Sequence, residues 1–459
     1  MSQSRIAASF RDPSGFVFSR DGRLYRQVNH RYKVHYDRLI SSGLYDSLVK
    51  GSLLVPHEEA GISEAATTDA YKVIRPERVP FISYPYEWCF SQLKDAALAT
   101  LAIEKRSIEA GMTLKDASAY NIQFRAAKPT LIDTLSFEGY REGEPWIAYG
   151  QFCRHFLAPL ALMSCTDIRL SQLLRANIDG VPVDLARRLL PWKTRLKLGL
   201  YLHIHMHGRR QERSVGDGAE SASRAKGTVS RMQFLGIIDS LEGTIRGLSW
   251  RPAGTEWADY YNDTNYTEAG MRHKEELVAE FLGKLSPQTV WDLGANTGRF
   301  SRIAAAKGAV TIAFDIDPAA VEKNYLQCAG REPDILPLVM DLANPSPSLG
   351  WLCAERDSLS DRGPASVVLA LALVHHLAIG NNVPLESVAE FFASLGKALI
   401  VEFIPKSDSQ VKRLLVTRED IFDRYNREEF EKAFGRFFVV ENSQPIRETE
   451  RTLYLMRRK

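Results

Sequence analysis

Along the second half of the chain, short apolar blocks alternate with amphipathic stretches. TVWDLG, AVTIAFDID, ILPLVMDL, ASVVLALAL and KALIVEFI each hold a run of large apolar residues of strand length. Between the first of them lie GRFSRIAAAKG and PAAVEKNYLQCAG, which read as helices, the second starting at Pro318, a favoured first helical position. Buried strands separated by helices predict a parallel, doubly wound sheet. The pattern then changes. NREEFEKAF predicts a helix with a capping box from Asn426 to Glu429. FFVVEN and RTLYLMR follow with only a polar connection between them, so an antiparallel hairpin is expected to close the sheet. Ahead of the first strand, TNYTEAGMRHKEELVAEFLGKL predicts a helix ending near Gly283.

Upstream, a helix is predicted from about Glu87 to Ala110, with Phe90, Leu93, Ala97, Leu101 and Ile108 on one face and Gly111 ending it. Met232, Leu235, Ile238, Leu241, Ile245 and Leu248 mark a second helical face, expected to lead into the next domain. Arg209 to Gly227 (RRQERSVGDGAESASRAKG) has almost no large apolar residue and cannot offset its own ordering entropy. The expected division is therefore a first domain over 1–208, a linker over 209–228, a connecting helix over 229–249 and a second domain over 250–459.

Composition adds exclusions. The 459 residues are 45% hydrophobic and 25% charged, which are ordinary globular values. The formal net charge of +3 and the lack of a basic stripe disfavour nucleic acid as a partner. The five cysteines form no C-x-x-C pair and read as reduced thiols of a cytoplasmic protein. The N-terminus lacks a signal-peptide core, and no apolar run approaches the roughly 18 residues of a membrane span. No motif specifies an oligomeric state.

The chemistry concentrates at VWDLGANTGRFS, Val290 to Ser301, a strand, a glycine turn and a helix. Gly294 and Gly298 let the backbone turn and approach a ligand. Asp315 ends the next strand, about 20 residues on, the spacing that suits a ribose diol. Asp317 stands at the same strand end as an alternative. Asn296 and Arg299 occupy the places where a dinucleotide fold would need glycine, so a pyrophosphate is disfavoured. With FDIDP, VMDL and LVHHL in order behind it, this series resembles the motifs of class I S-adenosylmethionine-dependent methyltransferases over about 200 residues. The resemblance implies a seven-stranded Rossmann-like sheet with S-adenosylmethionine as cofactor. Asp292, Gly294, Asn296 and Gly298 would hold its methionine portion, Asp315 the ribose hydroxyls, and Asp341 with Leu342 the adenine.

Methyl transfer from a sulfonium needs an aligned nucleophile and, for a hydroxyl, a base. His375 and His376 end the fourth strand and Glu402 the fifth. A histidine titrates near neutrality, so either could serve as base, with one capping or packing as the alternative. Glu402 is expected to orient a substrate group or a loop. The absence of a D/N-P-P-Y motif favours an oxygen acceptor, which no motif identifies further. Tyr260, Tyr261 and Tyr266 read either as a lid or as aromatic core.

In the first half, Asp116 and Asn121 lie in LKDASAYNIQF, and Asp133 follows in PTLIDTLSF. This resembles the catalytic segment of protein kinases and aminoglycoside kinases and implies an α+β kinase-like domain with ATP and magnesium. Leu114-Lys115 precedes the first Asp and Thr-Leu follows Asp133, both departures from that family; Asp116 as a turn residue is the alternative. His203, His205 and His207 read as a helix end rather than a metal site. The expected protein is a methyltransferase whose N-terminal domain recognises the acceptor. A bifunctional kinase–methyltransferase and a non-catalytic cofactor-sensing scaffold are the alternatives.

Overall fold

The computed structural model describes residues 3–125, 127–208, 228–252, 266–329, 335–416 and 419–459. The linker expected at 209–228 lies almost entirely outside these, as do Tyr260 and Tyr261. The chain divides into two compact units, 1–251 with 349–356, and 252–348 with 357–459.

In the first unit, β1 (Gln3–Arg5), β2 (Gly15–Arg20), β3 (Arg23–Asn29), β4 (His57–Ala60) and β5 (Ala70–Pro76) form an antiparallel sheet in the order β1-β2-β3-β5-β4. Helices α1 (Lys33–Ser41) and α2 (Leu44–Lys50) connect β3 to β4. The sheet's core pairs Phe16, Phe18, Tyr25 and Val73 on one face, and Val28, Tyr32, Tyr36 and Ile74 on the other. Helix α3 (Phe90–Glu109) follows, with all five expected face residues buried. Then come four short strands, β6 (Met112–Leu114), β7 (Ile122–Arg125), β8 (Lys128–Leu131) and β9 (Phe137–Gly139), paired β6-β9 and β7-β8.

The predicted connecting helix is α4 (Arg231–Arg246), and it packs within the first unit, a few residues ahead of the second. Lys105 on α3 lies 2.6 Å from Asp239 and holds the helix there. Its buried face also shifts by two residues at the start. Phe234 packs inward, whereas Met232 is exposed. The larger ring takes the inward place because Tyr140 and Trp146 stand against it.

The second unit opens on α5 (Glu268–Leu285), two residues longer than expected. Strands β10 (Thr289–Leu293), β11 (Val310–Asp315), β12 (Ile335–Val339), β13 (Ala365–Ala370) and β14 (Gly396–Phe403) are parallel neighbours. With β15 (Phe438–Pro445) and β16 (Thr452–Arg458) they form one seven-stranded sheet, in the order β12-β11-β10-β13-β14-β16-β15. β16 is antiparallel to both its neighbours, so it is an interior strand of the expected hairpin. Helices α6 (Arg299–Ala306), α7 (Pro318–Cys328), α8 (Leu385–Leu395) and α9 (Arg427–Phe434) complete the layers. The capping box at α9 is half formed. Asn426 accepts from the Glu429 amide at 2.9 Å, but the Glu429 carboxylate turns to Arg424 and Lys432.

Glu104, inside α3, is fully buried and accepts from the Thr113 hydroxyl and the Leu114 amide, each at 2.6 Å. Burial pushes its carboxyl up to about 8. The folded state thus holds a proton that the unfolded chain releases near its ordinary carboxylate value. The stability from this group is complete below about pH 4.5 and fades as pH rises through about 8. Thermal midpoints of the wild type should fall across that interval. Glu104→Gln should flatten the slope, and an unchanged slope would contradict the assignment.

Candidate active site

The carboxyl ends of β10 to β13 meet at one cavity of about 270 Å³ in the second unit. Asp292, Gly294, Asn296, Asp315, Asp341, Leu342 and His376 all line it. A parallel sheet places such ends together because every strand runs the same way, and the crossing point of its order leaves a crevice there.

The turn after β10 is built from backbone conformation. Gly294 and Gly298 have φ of 74° and 81°, where a side chain is strained. At Gly298 a Cβ would also stand 2.5 Å from Asn324 Oδ1. Gly298 caps α6 and does not line the cavity, so its contribution is the turn itself. Asn296 has φ of 50°, and asparagine is among the residues that enter the left-handed region most readily. That conformation explains how asparagine replaces glycine here. Its amide donates to Asp315 Oδ2 at 2.7 Å, tying the turn to the next strand.

Asp315 also accepts from the Asp317 amide at 2.9 Å, and Asp292 accepts from the Ser301 hydroxyl at 2.6 Å. Both carboxyls are nearly inaccessible, and burial raises each to about 6. Asp317 caps α7, its Oδ1 accepting from the Ala319 amide at 2.8 Å, and it does not line the cavity. The alternative to Asp315 is therefore set aside. Asp341 is half-buried and its Oδ1 accepts from the Ala343 amide at 2.9 Å.

The two histidines separate. His376 lines the cavity, whereas His375 is 2% exposed behind it, with ring centroids 4.1 Å apart. Burial depresses His376 to about 4 and His375 well below its ordinary value. Titration near neutrality, expected from residue type, is thus replaced by a neutral imidazole throughout the physiological range.

Glu402 does not line the cavity. It is fully buried and gathers Lys274 Nζ at 2.7 Å, the Ala372 amide at 2.9 Å, the Tyr266 hydroxyl, and Arg451 Nη1 at 3.6 Å. Arg451 is further held by Asp408 at 2.8 Å. Burial works against charge on the carboxyl, but Lys274 and Arg451 outweigh it and keep Glu402 below its usual range. Burial likewise pushes the Lys274 ammonium down. With two cations converging on one carboxylate, the ionised pair is the resting state. Ala372 has φ of 51°, a strained value for alanine, and the bond from its amide to Glu402 fixes it. Tyr266, Lys274 and Ala372 all line the cavity, so Glu402 holds three parts of the wall without touching the interior. Of these, sequence reasoning named only Tyr266. Lys274 carried a signal, since it stands at helical spacing between the apolar Met271 and Val278.

In the first unit Asp116, Asn121 and Asp133 are brought together. Asp116 is raised by burial and by the charge of Asp133, while Asn121 donates to it. Asp116 Oδ1 also accepts from the Ser118 amide at 3.0 Å and from Gln151 at 2.8 Å. Asp133 pairs with Arg26 of β3 at 2.7 Å, a residue the sequence reading did not single out. His203 and His205 sit on a π-helical turn, Tyr201–Met206, rather than an α-helical one. His203 bonds Tyr149 at 2.8 Å and Ser240 at 2.9 Å. No cluster of metal-ligating side chains occurs among the described residues.

The sheet order with an antiparallel seventh strand, the glycine turn and the strand-end carboxylates define the second unit as a class I methyltransferase fold. The chain as a whole is 36% identical over 462 residues to nodulation protein NoeA of Rhizobium meliloti (strain 1021), covering 99% of this chain and 96% of that one. It belongs to the NoeA family. No protein-family profile matches it. Among solved structures, magnesium protoporphyrin IX methyltransferase of Synechocystis PCC 6803 with bound SAH is 19% identical, covering 44% of this chain and 93% of that one, with a TM-score of 0.32. The N-methyltransferase NodS of Bradyrhizobium japonicum WM9 is 11% identical, covering 42% and 97%, with a TM-score of 0.30. Likenesses at that level add nothing to what the strand order defines.

Replacing Glu402 by Ala would leave Lys274 and Arg451 buried with their shared partner gone. A loss of about 3–5 kcal/mol is expected for breaking such a pair from one side. Urea unfolding followed by the fluorescence of Trp291, on β10, measures it. A change below about 1 kcal/mol would show that the network is not structural.

Proposed function

We propose that the second unit transfers a methyl group from S-adenosylmethionine to a hydroxyl of its acceptor. The observation that carries this reading is the set of three carboxylates, Asp292, Asp315 and Asp341, at successive strand ends around one cavity beside a glycine turn. The donor set fits the cofactor. Asp315, already anchored by the backbone amides of Asn296, Ile316 and Asp317, has a lone pair left for a ribose diol. Asp292, buried and held by Ser301, suits an ammonium. Asp341 stands one strand further out, in reach of an adenine edge. When bound, the cofactor supplies an electrophilic methyl on a sulfonium.

The chain's own contribution is positioning and electrostatics. Leu371, Leu373 and Leu377 exclude water from the wall around His376. The neutral His376 ring can accept a hydrogen bond from an acceptor hydroxyl, orient it for in-line attack and take up its proton as the oxygen–methyl bond forms. His375 packs behind that ring, and Glu402 fixes the strand end through Ala372. Glu402 is thus a positioning residue rather than a catalytic one.

Calorimetry with S-adenosylmethionine and its demethylated product tests the cofactor. Asp315→Ala should weaken binding by about 1–3 kcal/mol. A cofactor that favours ionised Asp292 and Asp315 must displace their protons when both titrate near 6, so affinity should fall as pH drops below about 6. Binding unaffected by both changes would remove the assignment.

For the first unit, the sheet order β1-β2-β3-β5-β4 and the assembled Asp116, Asn121 and Asp133 favour a kinase-like fold. We read it as an acceptor-recognition domain rather than a phosphotransferase. The Arg26 guanidinium stands against Asp133, the carboxylate a magnesium ion would need. Methylation is expected to proceed without ATP, and calorimetry should show no Mg-ATP binding. Transfer of labelled phosphate to any acceptor, lost in Asp116→Ala, would establish the bifunctional alternative instead.

A further inference from the structure

A stretch of the first unit that the methyl-transfer reading does not use has an unusual surface. From Leu185 to Gly208 the sequence holds five Lys/Arg and no Asp or Glu. Within it, Trp192, Leu196 and Leu198 are 66%, 77% and 72% exposed. Lys193, Arg195 and Lys197, which alternate with them, are exposed as well.

This display is fixed by the backbone. Trp192–Leu196 is a single 3-10 turn whose one buried residue is Thr194. The Thr194 hydroxyl donates to the Pro191 carbonyl at 2.6 Å and lies 2.9 Å from His205 Nε2. Leu190 and Leu200 are buried on either side. The turn is therefore pinned at its centre and at both ends, and its large side chains have no inward alternative. Exposed apolar residues scattered singly need no explanation, but three within seven residues mark an interaction site.

The interleaving decides the class of partner. A protein interface has an apolar core depleted in lysine, with its charges at the rim. Here cation and apolar side chain alternate residue by residue. At a bilayer surface one shallow band takes both. Tryptophan lies at headgroup level, leucine reaches the acyl boundary, and lysine and arginine meet anionic phosphates. We propose that the turn Pro191–Leu198 docks this protein on a bilayer surface bearing anionic headgroups. No membrane-crossing element is required, and no helix among the described residues is long and apolar enough to cross a membrane. The docking is independent of the chemistry assigned to the second unit.

The full chain is sedimented with vesicles of phosphatidylcholine alone and of phosphatidylcholine with phosphatidylglycerol. It should pellet only with the second, and less so as salt rises. Neutralising the cations with Lys193→Gln, Arg195→Gln and Lys197→Gln together should lower partitioning by about a hundredfold. Trp192→Ser with Leu196→Ser and Leu198→Ser should reduce it to background. Both triple variants should keep the wild-type thermal midpoint, because the replaced side chains are exposed. Tryptophan emission should be quenched by lipids with brominated acyl chains, and Trp192→Phe should remove that quenching. Wild-type chain that ignores anionic vesicles overturns the proposal. So does vesicle binding that survives both triple variants. A concentration-dependent dimer, abolished by the serine variant without any vesicle binding, would overturn it in favour of a contact between two copies of the chain.

Discussion

The second unit depends on one buried carboxylate. Glu402 ends β14, yet its oxygens reach the amide of Ala372 after β13, the ammonium of Lys274 on α5, the hydroxyl of Tyr266 ahead of that helix, and Arg451 at the start of β16. These groups come from four places in the chain. In a low-dielectric interior such a hub is either well satisfied or costly, and this one is satisfied from every side. Its effect is geometric. It holds an alanine in the left-handed region and sets a lysine and a tyrosine into the wall of the cavity without entering it.

Two electrostatic regimes thus lie side by side. Below the wall, opposite charges cancel. Inside the cavity, burial outweighs the hydrogen bonds on Asp292 and Asp315, and the pull of Lys274 on Asp292, and both rise to about 6. A cavity with that bias suits a ligand that brings its own donors and positive charge. The first unit treats acidic groups differently again. Asp133 has its arginine, while Glu104 pairs with no cation among the described residues and is held as a neutral acid.

What could be read from the sequence was local. The glycine turn was legible because a strand, a tight turn and a helix leave their marks within a dozen residues, and Asp315 and Asp341 because each ends one of the next two apolar strands. The closing hairpin was legible because no helix fits between FFVVEN and RTLYLMR. The Glu402 network was not, since Lys274, Ala372, Glu402 and Arg451 meet only through the sheet. The glutamate within LIVEFI and the lysine at helical spacing between Met271 and Val278 were local hints of buried charge, but neither names the other as its partner. The histidines failed for a related reason. Residue type gives a pKa in water, and only the packing around His375 and His376 shows how far burial displaces it. Which unit α4 packs in was not legible, because a helical face tells that something covers it but not which domain does.

The placement of β16 has a consequence for how the unit comes into being. It is later in the chain than every other strand of its sheet, yet it lies between β14 and β15 rather than at an edge. On a ribosome, the glycine turn and the strands on either side of it emerge long before the residue that completes the ion network. Until Arg451 and β16 arrive, β14 has one flank open and Glu402 lacks one of its two cations. The nascent unit must therefore wait with an unpaired edge and a half-neutralised acid, exposed to the very pairing errors that the finished sheet prevents.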